Sequence, residues 1–333
     1  MQVKKRILAF VLLSIAAFSF LGMSVVRGFR ASQTGKSDGV YRLLLLGQDD
    51  AAELCDVMMV ASFDSKEGRM SIVQIPRDTY FAYTQGSYKK INAAARALGG
   101  ADRLSDKLSE ALGVSIDGYM SFDLDFVKDA VDMVGGVELF VPCDMDYDDP
   151  EQGLSIHLKK GKQTLTGEEA VGFVRFRSGY VRADLDRMDA QKMFLAAFAK
   201  AFSERVGYSE LAGVILLGMR HLKTDMRIDT ALALAREMRK LPQSSITVLT
   251  LPGEEIRSAQ SGAWYYILSR EGCEEAIREY LATDGEVYAG FDVGRLFTNE
   301  NRSEFHSLYE KRIPAQPYTF AGLRQKIEDN EIN

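Results

Sequence analysis

Tyr41-Arg42-Leu43-Leu44-Leu45-Leu46-Gly47 is an apolar run of strand length, and the polar Gln48-Asp49 follow it. Val57–Phe63 repeats the pattern after turn-like residues, and Met70–Ile75 supplies a third run, so the folded part of the chain opens on buried strands. Helical spacing then takes over at Ala101–Leu112 and Asp125–Val134, with Gly135-Gly136 stopping the second helix. Val137–Val141 is a further strand ended by Pro142, and the acidic stretch Asp144–Gly153 is loop-like. Thr166 and Glu169 fit a capping box that starts another helix. Arg187–Phe202, Leu211–Leu222 and Thr230–Leu241, the last capped by Asp229, are predicted helices. Ile246–Leu251 is a strand and Glu274–Leu281 a final helix. Strands interspersed with helices make this an α/β chain, with helices covering a central sheet.

Composition bounds the function. The 333 residues are 46% hydrophobic and 26% charged, enough for a core that needs no disulfide or metal staple. Cys55, Cys143 and Cys273 are widely spaced, and His157, His221 and His306 are the only histidines, so neither a disulfide framework nor a histidine-rich metal site is expected. A net charge of −6 argues against nucleic acid as a partner, and any positive site must be local. Ile7–Val26 carries no charge and is about long enough to span a bilayer. No small-x-small cleavage site follows it, so it reads as an N-terminal transmembrane helix rather than a signal peptide. Lys4, Lys5 and Arg6 precede it, while Arg27, Arg30 and Lys36 flank the other end. Residues 1–30 thus read as a cytoplasmic stub and anchor, 31–39 as a linker, 40–296 as the folded domain and 297–333 as a polar tail.

Within that domain, charges recur in apolar segments. Ile75-Pro76-Arg77-Asp78-Thr79 follows a strand, Lys90-Ile91-Asn92-Ala93-Ala94 opens a helix, and Phe173-Val174-Arg175-Phe176-Arg177 sets guanidinium groups among aromatics. Asp184, Arg187 and Gln191 follow on one helical stripe. Buried cations need counter-charges, and several converging on one region point to a site for a multiply charged anion such as phosphate. Asp49 and Asp56 end one strand and start the next, and two such carboxylates suit magnesium. Each feature has a plainer alternative: solvated turn aspartates, an Arg77–Asp78 ion pair, a solvated Lys90, and a surface bridge between Asp184 and Arg187.

These stretches, together with Val134-Gly135-Gly136-Val137 and Gly161-Lys162-Gln163-Thr164-Leu165-Thr166-Gly167-Glu168-Glu169-Ala170, resemble in order and spacing the LytR–CpsA–Psr family of bacterial envelope proteins. The likeness covers roughly residues 40–200, with a looser match near Leu251-Pro252-Gly253. It implies a central mixed sheet and a catalytic domain held outside the cell membrane by a single-pass anchor. It also implies a phosphotransferase that attaches polyprenyl-pyrophosphate-linked glycopolymers, teichoic acid or capsule-like, to peptidoglycan. Asp49 and Asp56 match the family's ligands for Mg2+ (or Mn2+). Arg77, Arg175, Arg177 and Arg187 match its catalytic arginines, while Lys90, Asp184 and Gln191 fall in its substrate-binding motifs. A polyprenyl chain would occupy an apolar pocket between sheet and helices. Asp78 is a candidate base. The chain departs from the family pattern at Leu54 and Ala190, where arginines are usual, and the loop from Asp49 to Asp56 is short. A non-catalytic glycan-binding or regulatory module, and a pyrophosphatase acting on the same lipid, are the competing readings.

Overall fold

In strand β1 (Val40–Asp49) Leu44 and Leu46 enter one apolar cluster, and Leu43 and Leu45 enter another, because side chains alternate along a strand. Both faces are buried, and β1 therefore lies inside a sheet with helices on either side. The computed structural model describes residues 39–49, 54–82, 89–180, 184–206, 211–227, 241–282 and 309–329, with 230, 231, 234, 290, 291 and 305. The anchor expected at Ile7–Val26 and the linker before Gly39 lie outside these residues, as does most of the helix expected at Thr230–Leu241. No described helix is long and apolar enough to cross a membrane.

After β1 come β2 (Leu54–Asp64), β3 (Arg69–Gln74), helices α1 (Ala94–Leu98) and α2 (Ala101–Leu112), β4 (Gly118–Phe122), α3 (Leu124–Met133), β5 (Val137–Val141), β6 (Met145–Asp149), β7 (Leu154–Leu158) and β8 (Gly161–Leu165). The chain continues through α4 (Gly167–Arg175), α5 (Asp184–Arg205), α6 (Leu211–His221), β9 (Lys223–Thr224), β10 (Ile246–Thr250), β11 (Gly253–Arg257), β12 (Trp264–Leu268), α7 (Arg270–Tyr280), β13 (Tyr318–Thr319) and α8 (Phe320–Asp329). The main sheet has the order β13-β10-β3-β2-β1-β4-β9. Strand β1 is antiparallel to β2 and parallel to β4, and β3 is parallel to β10, so the sheet is mixed. Side chains of α2 and α7 cover one face, and those of α5 and α8 the other.

Helix α5 is buried on nearly every side. Leu195, Ala196 and Ala199 meet the sheet, while Met193, Phe194 and Phe198 join a separate cluster with α3, α4 and the β5–β8 ribbon. A helix apolar all round belongs in an interior, which makes the charges in its first turns conspicuous. The capping box at Thr166 is present: Glu169 N–H donates to Thr166 Oγ1 and Thr166 N–H donates to Glu169 Oε2. At the other end of the domain, the fully buried Arg42 donates from Nε to the Leu281 carbonyl at 2.7 Å, joining β1 to the end of α7.

Two expectations are corrected. Asp144–Gly153 is not simply a loop, since Met145–Asp149 pairs with Leu154–Leu158. Its buried Met145, opposite Leu158, holds the ribbon while the acids face solvent. Residues 297–333 are not merely a polar tail: Tyr318–Thr319 adds an edge strand on β10. Phe305, Tyr309, Phe320 and Leu323 are buried, and their spacing among charged residues hides them from an average of polarity. Strands β4, β8 and β11 are not apolar runs, and β12 (Trp264-Tyr265-Tyr266-Ile267-Leu268), which is one, was not among the predicted strands.

One irregularity positions the site. Gly47 pairs with Val57 and Gln48 with Cys55, leaving Asp56 as the extra residue of a β-bulge, a device that re-aims a side chain. Gly47 is required beside it, because a Cβ there would lie 2.9 Å from Val57 Cβ and 3.2 Å from Phe122 Cε2. Gly47→Ala is expected to destabilise the protein by about 1–3 kcal/mol through overpacking. Urea unfolding measures this, and unchanged stability would show that the β1–β2 pair yields at no cost.

Candidate functional site

Strand β3 ends at Gln74, and Pro76 opens a tight turn closed by Thr79 N–H donating to the Pro76 carbonyl at 3.0 Å. The turn is pinned to the helix start that follows it: Ile91 N–H donates to Thr79 O at 2.9 Å and Asn92 N–H to Arg77 O at 3.1 Å. Arg77, Asp78 and Lys90 therefore share one small region, with Lys90 Nζ 2.7 Å from Asp78 Oδ1. Arg77 Nη1 donates to the bulged Asp56 at 2.7 Å, and its Nε lies 3.2 Å from Asp184 Oδ1 at the start of α5. One turn along, Arg187 places Nη2 2.6 Å from the same Asp184 oxygen and Nη1 4.0 Å from Asp56 Oδ2. Asp184 and Arg187 are 8% and 4% exposed, which rules out a solvated surface bridge.

The electrostatics of the two arginines differ. Burial works against the charge of Arg77, but Asp184, Asp56 and Asp78 together outweigh it and raise its pKa. At Arg187 burial prevails: the pKa is lowered, Asp184 and Asp56 oppose the shift, and Arg77 and Arg177 reinforce it. Arg187 is thus incompletely compensated. Its Nε and Nη2, Arg77 Nε and Asp184 Oδ1 are buried without an aligned hydrogen-bond partner, despite the short ion-pair distances. Buried donors in that state are what an anionic ligand would satisfy.

The remaining expected residues are placed as follows. Arg175 is the last residue of α4 and is half-buried, and Arg177 is exposed beyond it, close enough to Arg187 to influence it. Gln191 sits one turn below Arg187, but its amide is already engaged. Its Oε1 accepts from Gln74 at 2.9 Å and its Nε2 donates to the Val174 carbonyl at 3.2 Å. The backbone of Asp49 pairs with Leu54, and its side chain lies outside the described residues. Among the described residues no group of three potential ligands forms a metal site.

Sequence reasoning missed several neighbours. Gln74 is buried at the end of β3, and Thr250 bridges it to the buried Lys192, which also lies 2.6 Å from Asp189. The signal for Lys192 was present, a charge within an otherwise apolar helix. Glu255 on β11 has its pKa raised, first by partial burial and then by the charges of Asp184 and Asp78, with Lys90 opposing. Below the charges lies an apolar cavity of about 60 Å³, lined by Leu45, Val57, Met59, Phe122, Phe126, Val127, Val174, Gln191, Phe194 and Leu195. Gln191, one helical turn along α5 from Arg187, lines its wall, which sets the cavity beside the helix that carries the charged cluster.

Known proteins share this arrangement of elements. The chain is 30% identical over 253 residues to the polyisoprenyl-teichoic acid–peptidoglycan teichoic acid transferase TagV of Bacillus subtilis, a match covering 72% of this chain and 64% of that protein. The crystal structure of B. subtilis TagV superposes with a TM-score of 0.62 at 28% identity, covering 74% of this chain and 98% of that one. A structure of TagT bound to LIIa-WTA gives 0.58 at 26% identity, with 77% and 92% coverage. The LytR_cpsA_psr family model matches residues 24–281, and the chain belongs to that family.

Proposed function

We propose that this protein is a membrane-anchored phosphotransferase that moves a glycopolymer from a polyprenyl pyrophosphate carrier to a hydroxyl of peptidoglycan. The observation that carries the reading is an arginine-rich, ion-paired cluster at the start of α5, one turn from an apolar cavity, a pairing suited to a ligand with a charged head and a hydrocarbon tail. Relatives named as teichoic acid transferases support the same chemistry. Arg77 and Arg187 offer unaligned buried donors to the phosphates, and Arg177 and Arg175 stand at the rim. Fixed guanidinium groups stabilise charge as it develops on a transferring phosphoryl group. The cavity, about 60 Å³, is small beside ordinary ligand pockets of about 300 Å³ or more. Phe122, Phe126 and Phe194 are the bulkiest side chains that line it. Ile7–Val26 would hold the domain at the outer face of the membrane, where such a lipid presents its head group.

Magnesium, or manganese, fits the oxygen donors available. Asp56 and Asp184 converge on Arg77, and Asp184 Oδ1 is buried without an aligned donor. Asp56 and Asp49 would hold the ion, which supplies a Lewis acid for the phosphate oxygens.

Incubating the protein with a lipid-linked glycan and a peptidoglycan acceptor tests the reading directly. Transfer product is expected. Phosphate release alone would make the protein a pyrophosphatase, and neither product would make it a binding module. Arg77→Ala should weaken donor binding by about 1.5–3 kcal/mol, the value of a charged hydrogen bond, or roughly tenfold to a hundredfold in Kd. Circular dichroism should show the variant folded; collapse would mean that Arg77 serves the core.

Metal and donor should each enhance the other's binding, as linkage requires. Calorimetry with a polyprenyl pyrophosphate analogue should therefore show tighter binding in magnesium, and Asp56→Asn should reduce the difference. Equal affinity with and without metal would exclude a metal-assisted site.

A further inference from the structure

A second cavity, of about 170 Å³, lies on another flank of α5, with Asp189, Lys192, Thr250, Gly253, Tyr266 and Gln316 among its walls. Its chemistry differs from that of the arginine cluster. Asp189 and Lys192 are its only charged lining residues, and the 2.6 Å pair between them leaves no net charge to attract an anion. The part-exposed Asp189 carboxylate and the Gln316 amide can instead accept and donate hydrogen bonds. Tyr266 donates its hydroxyl to the Leu251 carbonyl at 3.1 Å, which leaves the rest of its side chain as an apolar wall. Hydroxyl groups beside an apolar C–H face are what a sugar ring presents, so the lining suits a neutral saccharide.

The adjoining ribbon extends this surface. Gly253, Glu255 and Arg257 of β11 stand opposite Leu268, Tyr266 and Trp264 of β12, so Trp264 shares a face with Tyr266, about 7 Å along the strand. Trp264 is 59% exposed and is the only tryptophan in the chain. A single exposed apolar side chain is ordinary. This one lies two residues from a polar pocket on the same face, with the exposed Glu255 and Arg257 beside it, and so offers a second stacking surface to a chain that leaves the pocket.

Position decides which saccharide. The apolar cavity meets α5 at Gln191, Phe194 and Leu195, and the pocket meets it at Leu185, Met188, Asp189 and Lys192, about 120° round the helix. In-line transfer sends the lipid phosphate out on one side and brings the attacking oxygen in from the other. Two links join pocket to site: Tyr266 N–H donates to the Asp78 carbonyl at 2.8 Å, and Gln74 with Thr250 connects Gln191 to Lys192. A helix width, about 10 Å, separates the two flanks, a gap that a polymer can span. The wall at Ile313 and Gln316 lies beyond residues 24–281, which the family model matches, so this chain completes the pocket with a segment of its own. We propose that the pocket and Trp264 bind the saccharide chain of the acceptor, beside the sugar that carries the reacting hydroxyl, an assignment that rests on the transferase reading above.

The test uses the full chain in detergent, titrated with a peptidoglycan oligosaccharide freed of its peptides. A saturable change in the fluorescence of Trp264 is expected. In transfer assays with a lipid-linked glycan, Asp189→Asn and Trp264→Ala should each raise the KM for the acceptor about tenfold, acting on KM rather than on kcat. Donor affinity, measured by calorimetry, should hold in both, and the exposure of Trp264 keeps its loss from being mistaken for unfolding. A wild-type acceptor KM in both variants, or fluorescence indifferent to the oligosaccharide, would overturn the assignment and leave the transferase reading standing. Variants that weaken binding of the lipid-linked glycan but not of the bare lipid pyrophosphate would give the pocket to the donor's sugar and overturn it as well. A wild-type protein that makes no transfer product would overturn both readings.

Discussion

A guanidinium group in a protein interior must be matched by negative charge, and Arg187 imposes that requirement on everything around it. It sits near the start of a helix whose next turns are solid core, at 4% exposure. Breaking a buried ion pair by removing one partner leaves an uncompensated charge and is strongly destabilising. The elements that supply its partners are accordingly fixed: Asp184 by the first turn of α5 and Asp56 by the bulge opposite Gly47, while the turn at Pro76 brings in Arg77, a second cation that the same acids serve. The bulge in turn needs a glycine, because Val57 and Phe122 occupy the space a Cβ would take. One electrostatic demand thus reaches into strand register, turn geometry and packing.

The sequence carried the parts of this arrangement that depend on local pattern. Strands β1, β2, β3 and β10 announce themselves as apolar runs because both faces are buried, and α4 announces its start through Thr166 and Glu169. The site arginines were legible because a charge in an apolar segment demands a partner. Ribbon β6–β7 was not legible, since one of its faces is acidic and solvated. Nor was β13, a two-residue edge strand whose pairing with β10 depends on contacts far along the chain. The same reason hid Gln74, whose partners Gln191 and Thr250 lie 117 and 176 residues away.

The two departures from the family pattern gain a physical context. Ala190 is 2% exposed and packs with Met193, Phe194 and Phe198, so that position is part of the apolar wall rather than the charged cluster. An arginine there would need space and counter-charge that its packed neighbours do not supply. Lys192 is no replacement, since it is held by Asp189 and Thr250. Leu54 is half-buried where β1 and β2 meet. The positive charge of the site therefore rests on Arg77, Arg187, Lys90 and the α4-end arginines, which makes the loss of any one of them more consequential here.

That economy of cations bears on how an anion could enter at all. Asp56, Asp78 and Asp184 already occupy Arg77, Arg187 and Lys90, so an incoming pyrophosphate competes with carboxylates for the same donors. Two sets of anions facing one set of guanidinium groups repel each other, and the repulsion is poorly screened where water is scarce. Asp56 and Asp49 would hold a divalent cation, and its charge would offset this repulsion, leaving Arg77 and Arg187 available to the head group. The unaligned contacts of Arg187 and Asp184 fit such an exchange: the cluster is ion-paired, yet its hydrogen bonds are not so well formed that breaking them would be costly.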